Sequence, residues 1–218
     1  MQISITFILI LITVLVSIGG FTNEKIMDDL IFYPPAVSQR NQWYRFFSCG
    51  FIHADIGHLL FNMISFYFFG KVVEDVFVMF FPQIGKVLYL IMYLSALMVS
   101  LLPTYFKNRN NYDYRSLGAS GAVSAVVFAG LVIAPDQLIY IYFIPIGIPG
   151  FIFAPLYLLL SALLARQGGD NINHSAHIWG SIYGLVFIIV AGRIAGYDII
   201  NYFLSTVQNY LRAKHWIK

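Results

Sequence analysis

The sequence predicts an all-α membrane protein: a bundle of six transmembrane helices followed by an amphipathic helix at the membrane surface. Two compositional facts and one pattern lead there. Of the 218 residues, 59% are apolar and only 11% are charged, against roughly 45–50% and about 25% in a soluble globular domain. Lipid, rather than water, is therefore the solvent for most side chains. The pattern is six apolar segments, each near the roughly 17–25 residues that a helix needs to cross a bilayer. Between them lie stretches that hold most of the charge. The net charge of +3 is small and dispersed, which gives no footing for nucleic acid. The single cysteine, Cys49, permits no internal disulfide and no cysteine-based metal site, and reads as a buried structural thiol.

The first segment, residues 3–18, carries no charge and is interrupted only by Ser4, Thr6, Thr13 and Ser17. It reads as a short first span. A secretory signal peptide would show a basic start and a small-residue cleavage site, and neither is evident. Residues 21–57 form a long first loop with Glu24, Lys25, Asp28, Asp29, Pro34-Pro35, Arg40, Arg45 and Asp55. A connection of that length usually has a function or some structure of its own. Trp43, Tyr44, Phe46 and Phe47 around Arg45 suggest an anchor at headgroup depth, where amphipathic rings collect.

The second span covers about residues 57–73, ending at Lys71, Glu74 and Asp75; the third covers about 87–102 and stops at Pro103. The connection 104–117 holds Lys107, Arg109, Asp113 and Arg115 and lies outside the hydrocarbon. The fourth span, 118–134, is closed by Pro135-Asp136. Residues 138–149 are apolar but contain Pro145, Gly147 and Pro149, which favours an extended interfacial loop over a helix. A fifth span at about 150–165, a polar hairpin over 166–173 and a sixth span at about 174–191 follow. Past residue 192, Ile199, Ile200, Phe203, Leu204, Val207 and Leu211 recur at helical spacing among Asn201, Gln208, Asn209 and Arg212. That is the pattern of a helix lying in the membrane surface rather than of a seventh span. The chain thus divides into a core unit, 1–192, and a tail, 193–218. Lysines and arginines fall almost evenly on the two sides, so charge bias leaves the orientation open.

Spans two, four and six begin on the same side of the membrane. His58 and Asn62 lie near the start of the second, Ser120 near the start of the fourth and His177 near the start of the sixth. Four polar groups therefore sit at one depth. Such groups are costly inside a bilayer and usually face a bundle interior or a watery cavity. Ser120, between Gly118-Ala119 and Gly121, needs a general base within hydrogen-bond reach to act as a nucleophile. His177 is preferred to His174, because Gly180 and Gly184 follow it in one register and let that helix approach a neighbour closely. His58 and Asn62, four residues apart on one helical face, can donate to a tetrahedral oxyanion, and the backbone N–H of Ser120 at a helix N-terminus is a third donor. Singly, each has a plainer reading: small-residue packing for Gly-Ala-Ser-Gly, interhelical hydrogen bonding for His58 and Asn62, a satisfied buried histidine for His177. His53 and His215 read as loop or interface residues. A zinc protease lacks its His-Glu-x-x-His run. Asp113, Asp136, Asp170 and Asp198 fall in loops or at span ends, so no intramembrane aspartyl pair forms.

These residues resemble the rhomboid family of intramembrane serine proteases. The matching pieces are Arg45-Phe46-Phe47 with His53, His58-Leu59-Leu60-Phe61-Asn62-Met63 with Gly70, Gly118-Ala119-Ser120-Gly121, and Ala176-His177-Ile178-Trp179-Gly180 with Gly184. Any one is weak; four in order are specific. The resemblance implies a six-helix rhomboid core with a serine–histidine dyad and no acidic third member. Ser120 would be the nucleophile, His177 the base, and His58 and Asn62 part of the oxyanion hole. It implies a cytoplasmic N-terminus, a site open to the extracytoplasmic side, a fifth helix that gates substrate entry, and no cofactor. The partners would be transmembrane protein substrates and the lipid bilayer; the oligomeric state is not indicated. The minimal core suggests a bacterial member, in the inner membrane. One position departs: family members often carry an aromatic ring four residues after the nucleophile, stacked on the histidine, and here that residue is Ser124. Phe128, a turn further on the same face, or Trp179 or Tyr183, are the rings the sequence offers instead. The second reading is a non-catalytic rhomboid-like protein that binds or escorts membrane helices, although such relatives usually lack the serine or the histidine. A small transporter or channel is a third, without an inverted repeat to support it.

Overall fold

The computed structural model describes residues 4–140, 146–167 and 172–217. Helix α1 (Ile5–Thr22) starts at Ser4, whose Oγ accepts from the Phe7 N–H. The first loop folds into α2 (Glu24–Leu30), α3 (Pro34–Arg40) and α4 (Arg45–Ser48), followed by a 3-10 turn over Cys49–Phe51. Asn23 caps α2. Prolines open α3 where a missing N–H costs nothing. Arg45, expected in an interfacial anchor, is instead buried. Its Nη1 donates to the carbonyls of Asp28 (2.8 Å) and Ile31 (2.7 Å), and its Nε to Gln42 Oε1 (2.6 Å). A guanidinium leaves water only where acceptors replace it, and the loop's own carbonyls supply them. Phe46 is buried beside it in a small core with Phe32, Val37, Cys49, Leu101, Tyr105 and Ala176. Trp43, Tyr44 and Phe47 do keep exposed faces.

Two helices outrun the expected ends. Helix α5 (Ile56–Phe80) continues about two turns beyond Val73. The charges that marked its end are absorbed: Lys71 pairs with Asp75 along the helix, and Glu74 is buried against the start of α1. The Glu74 carboxylate accepts from Ser4 Oγ (2.7 Å), Ile5 N (2.8 Å), Thr6 N (3.0 Å) and Thr6 Oγ1 (2.8 Å). Helix α6 (Gly85–Asn108) passes through Pro103. A proline forfeits one backbone bond, and Leu101, Thr104 and Tyr105, all buried beside it, hold the helix on course.

Helix α7 (Ser120–Ile133) is the centre of the molecule. All of its fourteen residues except Ser120, Val127 and Ile133 are buried, and it packs against α5, α6 and α9 (His174–Ile194). Phe66, Val73, Phe77, Tyr89, Tyr93, Ala122, Ala125, Val126, Ala129 and Ile188 form much of the core around it. Helix α8 (Gly150–Gln167) lies at the edge, on α9 and α7, and buries only Gly150 and Ser161. Between α7 and α8, β1 (Leu138–Ile139) and β2 (Ile148–Pro149) pair antiparallel. Pro145 in that loop, and Asp170 in the hairpin expected before α9, lie outside the described residues. Helix α10 (Ile199–Ala213) docks on α7 and α9 and buries Ile199. Helices α1, α6, α8 and α9 are each long and apolar enough to cross a membrane; α7 is apolar and shorter. The fold is that of an all-α membrane protein.

Candidate active site

The crossing of α7 and α9 is set by glycine. A β-carbon on Gly180 would overlap the Gly121 carbonyl oxygen, and one on Gly184 would overlap that of Ala125. The two backbones therefore touch, as a membrane helix pair with small residues in one register allows. Gly121 adjoins Ser120 and Gly180 stands one turn after His177, so the contact carries both side chains to the same point. His177 Nε2 and Ser120 Oγ are 2.8 Å apart, and each residue is partly exposed. With Nδ1 protonated, Nε2 accepts the serine O–H proton, the arrangement of an activated nucleophile. Two surface clefts, of 370 and 200 Å³, lie beside α1 and are lined by neither residue.

Both ends of this contact are held. Asn173 caps α9, its Oδ1 accepting from the Ala176 N–H (3.1 Å) and from Thr104 Oγ1 of α6 (3.1 Å). The strand of chain entering α7 is clamped to the first loop. Phe32 and Ser116 exchange backbone bonds (2.9 and 3.1 Å), and the Gly118 N–H donates to the Cys49 carbonyl (2.9 Å). Gly118 has φ +110°, a conformation that other residues rarely adopt. A β-carbon there would stand 2.7 Å from His58 Cε1, so the missing side chain is what lets the His58 ring lie against the approach to Ser120.

His58 thus lies against Gly118, two residues ahead of Ser120, and its own N–H is fixed by Asp55 Oδ1 (2.8 Å) at the cap of α5. Asn62 is buried, with Nδ2 donating to the His58 carbonyl (2.9 Å). That uses one of its two amide protons. His174 is buried at 5.9 Å, ring to ring, from His177. His215 is exposed at the chain's end.

Sequence reasoning missed His53. It lies in a loop, as expected, but it is fully buried. Its Nε2 accepts from the Ala119 N–H (3.3 Å), so the ring proton sits on Nδ1 and is donated to Ser17 Oγ (2.9 Å), which donates in turn to the Phe51 carbonyl (3.0 Å). Burial first, and the neighbouring His58 second, push the His53 imidazole down to about 4, which keeps it neutral and able to accept. The sequence set His53 beside Arg45-Phe46-Phe47 among the rhomboid-like pieces, but its reading as a loop or interface residue gave it no role in the site. The rings expected on His177 are placed elsewhere: Trp179 is exposed, and the Tyr183 hydroxyl meets Ser95 of α6 (2.6 Å). Tyr157 of α8 stacks on the imidazole instead, 6.4 Å between centroids, and Phe128 lies behind Tyr157 at 5.6 Å.

A family model described as the Rhomboid domain matches residues 40–194, a range that holds every residue of this site but Ser17 and Phe32. Over 196 residues the chain is 29% identical to the Rhomboid protease GlpG of Haemophilus influenzae, covering 87% of this chain and 92% of that protein. It is 31% identical over 145 residues to the RHOMBOID-like protein 12, mitochondrial, of Arabidopsis thaliana, where the match covers 60% of this chain and 41% of the relative. A Putative rhomboid protease YdcA from Bacillus subtilis is 28% identical over 147 residues, 66% of this chain and 65% of the relative. The matched region thus spans about two fifths of the plant relative and nearly two thirds of the Bacillus one.

Proposed function

The chain belongs to the rhomboid family, and from that premise we propose that it is an intramembrane serine endopeptidase acting on transmembrane helices of other proteins. The observation that carries the reading is the 2.8 Å approach of Ser120 Oγ to His177 Nε2 across two helices. In the proposed reaction, Ser120 Oγ attacks the scissile carbonyl carbon while His177 Nε2 takes its proton. The tetrahedral intermediate collapses, His177 gives that proton to the leaving amine, and a water deprotonated by the same nitrogen releases the acyl group from Ser120. The negative oxygen of each intermediate needs fixed donors. The N–H of Ser120, the His58 ring and the second amide proton of Asn62 are assigned that role.

Helices α1, α5, α6, α7, α8 and α9 make up the six spans of the core, residues 1–192, and α10 in the tail lies along the membrane surface. Its sequence supports that placement: apolar residues share one face, and Arg212 and Lys214 close the end. The N-terminus faces the cytoplasm of a bacterial cell and the dyad opens outward through the inner membrane. Nothing in the reaction calls for a cofactor. Cleavage of a reporter transmembrane substrate in detergent tests the reading. Ser120→Ala and His177→Ala are each expected to abolish it with the melting curve unchanged, and a fluorophosphonate is expected to label Ser120 only while His177 is intact. Turnover by either folded variant at the wild-type rate removes the dyad assignment.

A further inference from the structure

Ser124 faces the space from which an aromatic ring would back the histidine, and the ring that fills this space comes from a different helix. Tyr157 of α8 lies 29° from parallel with the His177 imidazole at 6.4 Å, inside the roughly 4.5–7 Å range of offset stacking. Its hydroxyl is 3.2 Å from Ser124 Oγ, and Phe128 and Phe153 flank the ring at 5.6 and 5.9 Å. Two aromatic residues, one at 124 and one at 157, would contend for the same volume. The serine leaves room for the ring and offers it a hydrogen bond. That bond, with the Ser161 hydroxyl of its own helix also on Tyr157, fixes the ring's tilt, and Phe128 and Phe153 fix its flanks.

We propose that Tyr157, anchored on Ser124, is a positioning residue: its ring holds the His177 imidazole with Nε2 on Ser120, so the base is steadied from α8 rather than from α7. This inference rests on the dyad reading above. Tyr157 touches neither the substrate carbonyl nor the leaving group in this scheme; it acts through the orientation of His177.

The test compares Tyr157→Phe, Tyr157→Leu, and Tyr157→Leu combined with Ser124→Phe, measuring kcat and KM on the reporter substrate, the pH profile of fluorophosphonate labelling, and melting curves. A mispositioned base is expected to cost on the order of ten- to a hundredfold. Tyr157→Leu lowers kcat and labelling by that factor, leaves KM within a few-fold, and moves the acid limb of the labelling profile. Tyr157→Phe, which keeps the ring and loses the anchor, falls only a few-fold. The double variant, with a ring returned from α7, recovers at least tenfold over Tyr157→Leu. A wild-type kcat in Tyr157→Leu, a loss confined to KM, or a double variant no better than the single overturns the proposal. If Tyr157→Leu does not fold, Ser124→Ala replaces it: a reduced kcat supports the anchor, and an unaltered one overturns it. Failure of the wild-type protein itself to label at Ser120 sinks the dyad reading instead, so the two failures are distinct.

Discussion

Replacing Gly180 by alanine asks whether the α7–α9 spacing sets the Ser120–His177 contact on which the proposed reaction depends. The new β-carbon overlaps the Gly121 carbonyl oxygen and stands 2.9 Å from its carbon and 3.3 Å from its Cα. Ordinary carbon contacts are about 3.5–4.0 Å. Because the obstacle is backbone on a packed helix, no rotamer relieves it, and the helices must part by on the order of 1 Å. Gly121 adjoins Ser120 and Gly180 lies one turn from His177, so most of the displacement reaches the Ser120–His177 pair. The present 2.8 Å contact opens to about 3.8 Å, beyond hydrogen-bond reach. A misplacement of about 1 Å costs on the order of a hundredfold in rate, or about 2.7 kcal/mol of transition-state stabilisation. The helix-propensity gain of alanine over glycine, about 1 kcal/mol, is offset by an overpacking cost of about 1–3 kcal/mol and does not close the gap. The assay is reporter cleavage and fluorophosphonate labelling in detergent beside a melting curve, with Gly19→Ala as control, where the β-carbon meets only Ile26 Cδ1 at 3.4 Å. Both rates should fall about a hundredfold in Gly180→Ala and stay unchanged in Gly19→Ala. A folded Gly180→Ala protein working within threefold (roughly 0.7 kcal/mol) of wild type refutes the argument.

Two further perturbations test the frame around the site. Glu74→Ala removes the acceptor of Ser4, Ile5 and Thr6 and should cost about 3 kcal/mol, read as a lower melting temperature and faster proteolysis of the N-terminal helix; an unchanged midpoint counts against the anchor. His53 gives the protein an acid limit. It is neutral when folded, with a value near 4, while an unfolded histidine takes up a proton near 6.5. Its contribution is therefore whole above that value and is lost as pH falls towards 4, by up to about 3 kcal/mol. Protonated His53 also cannot accept from Ala119. Melting temperature should drop between pH 6.5 and 4.5 in the wild type and fall less in His53→Gln; equal slopes would exclude His53 as the source.

Where the sequence could be read, it was because a single property changed sharply along it. Apolar runs against charged connectors give α1, α6, α7, α8 and α9, and Ser120 and His177, singled out because each stands near the start of an apolar run, lie 2.8 Å apart. The ends of α5 and α6 were misread for a common reason. A charge or a proline ends a helix only when nothing satisfies it, and the partners of Glu74 lie 68 to 70 residues away in sequence. Arg45 escaped in the same way, since its carbonyl acceptors, Asp28 and Ile31, leave no mark in their side chains. Tyr157 was hidden by register: a ring on the fifth apolar segment cannot be aligned with Ser124 from spacing alone. Ser124 itself, a hydroxyl where a ring was expected, was the visible half of that pair.

The way into α7 sorts its backbone donors by task. The Gly118 N–H is taken by the Cys49 carbonyl and the Ala119 N–H by His53, both from the first loop, so the peptides just ahead of Ser120 cannot turn. The N–H groups of the first helical turn have no acceptor within the helix, and the aligned peptide dipoles put partial positive charge at that end. In the proposed reaction, negative charge builds on the substrate oxygen beside Ser120, where donors already fixed in place need no reorganisation. A clamp on the two preceding amides is thus worth more than the stability it adds. It keeps the Ser120 N–H aimed at one place, and it draws on a buried histidine that remains an acceptor only while it is neutral.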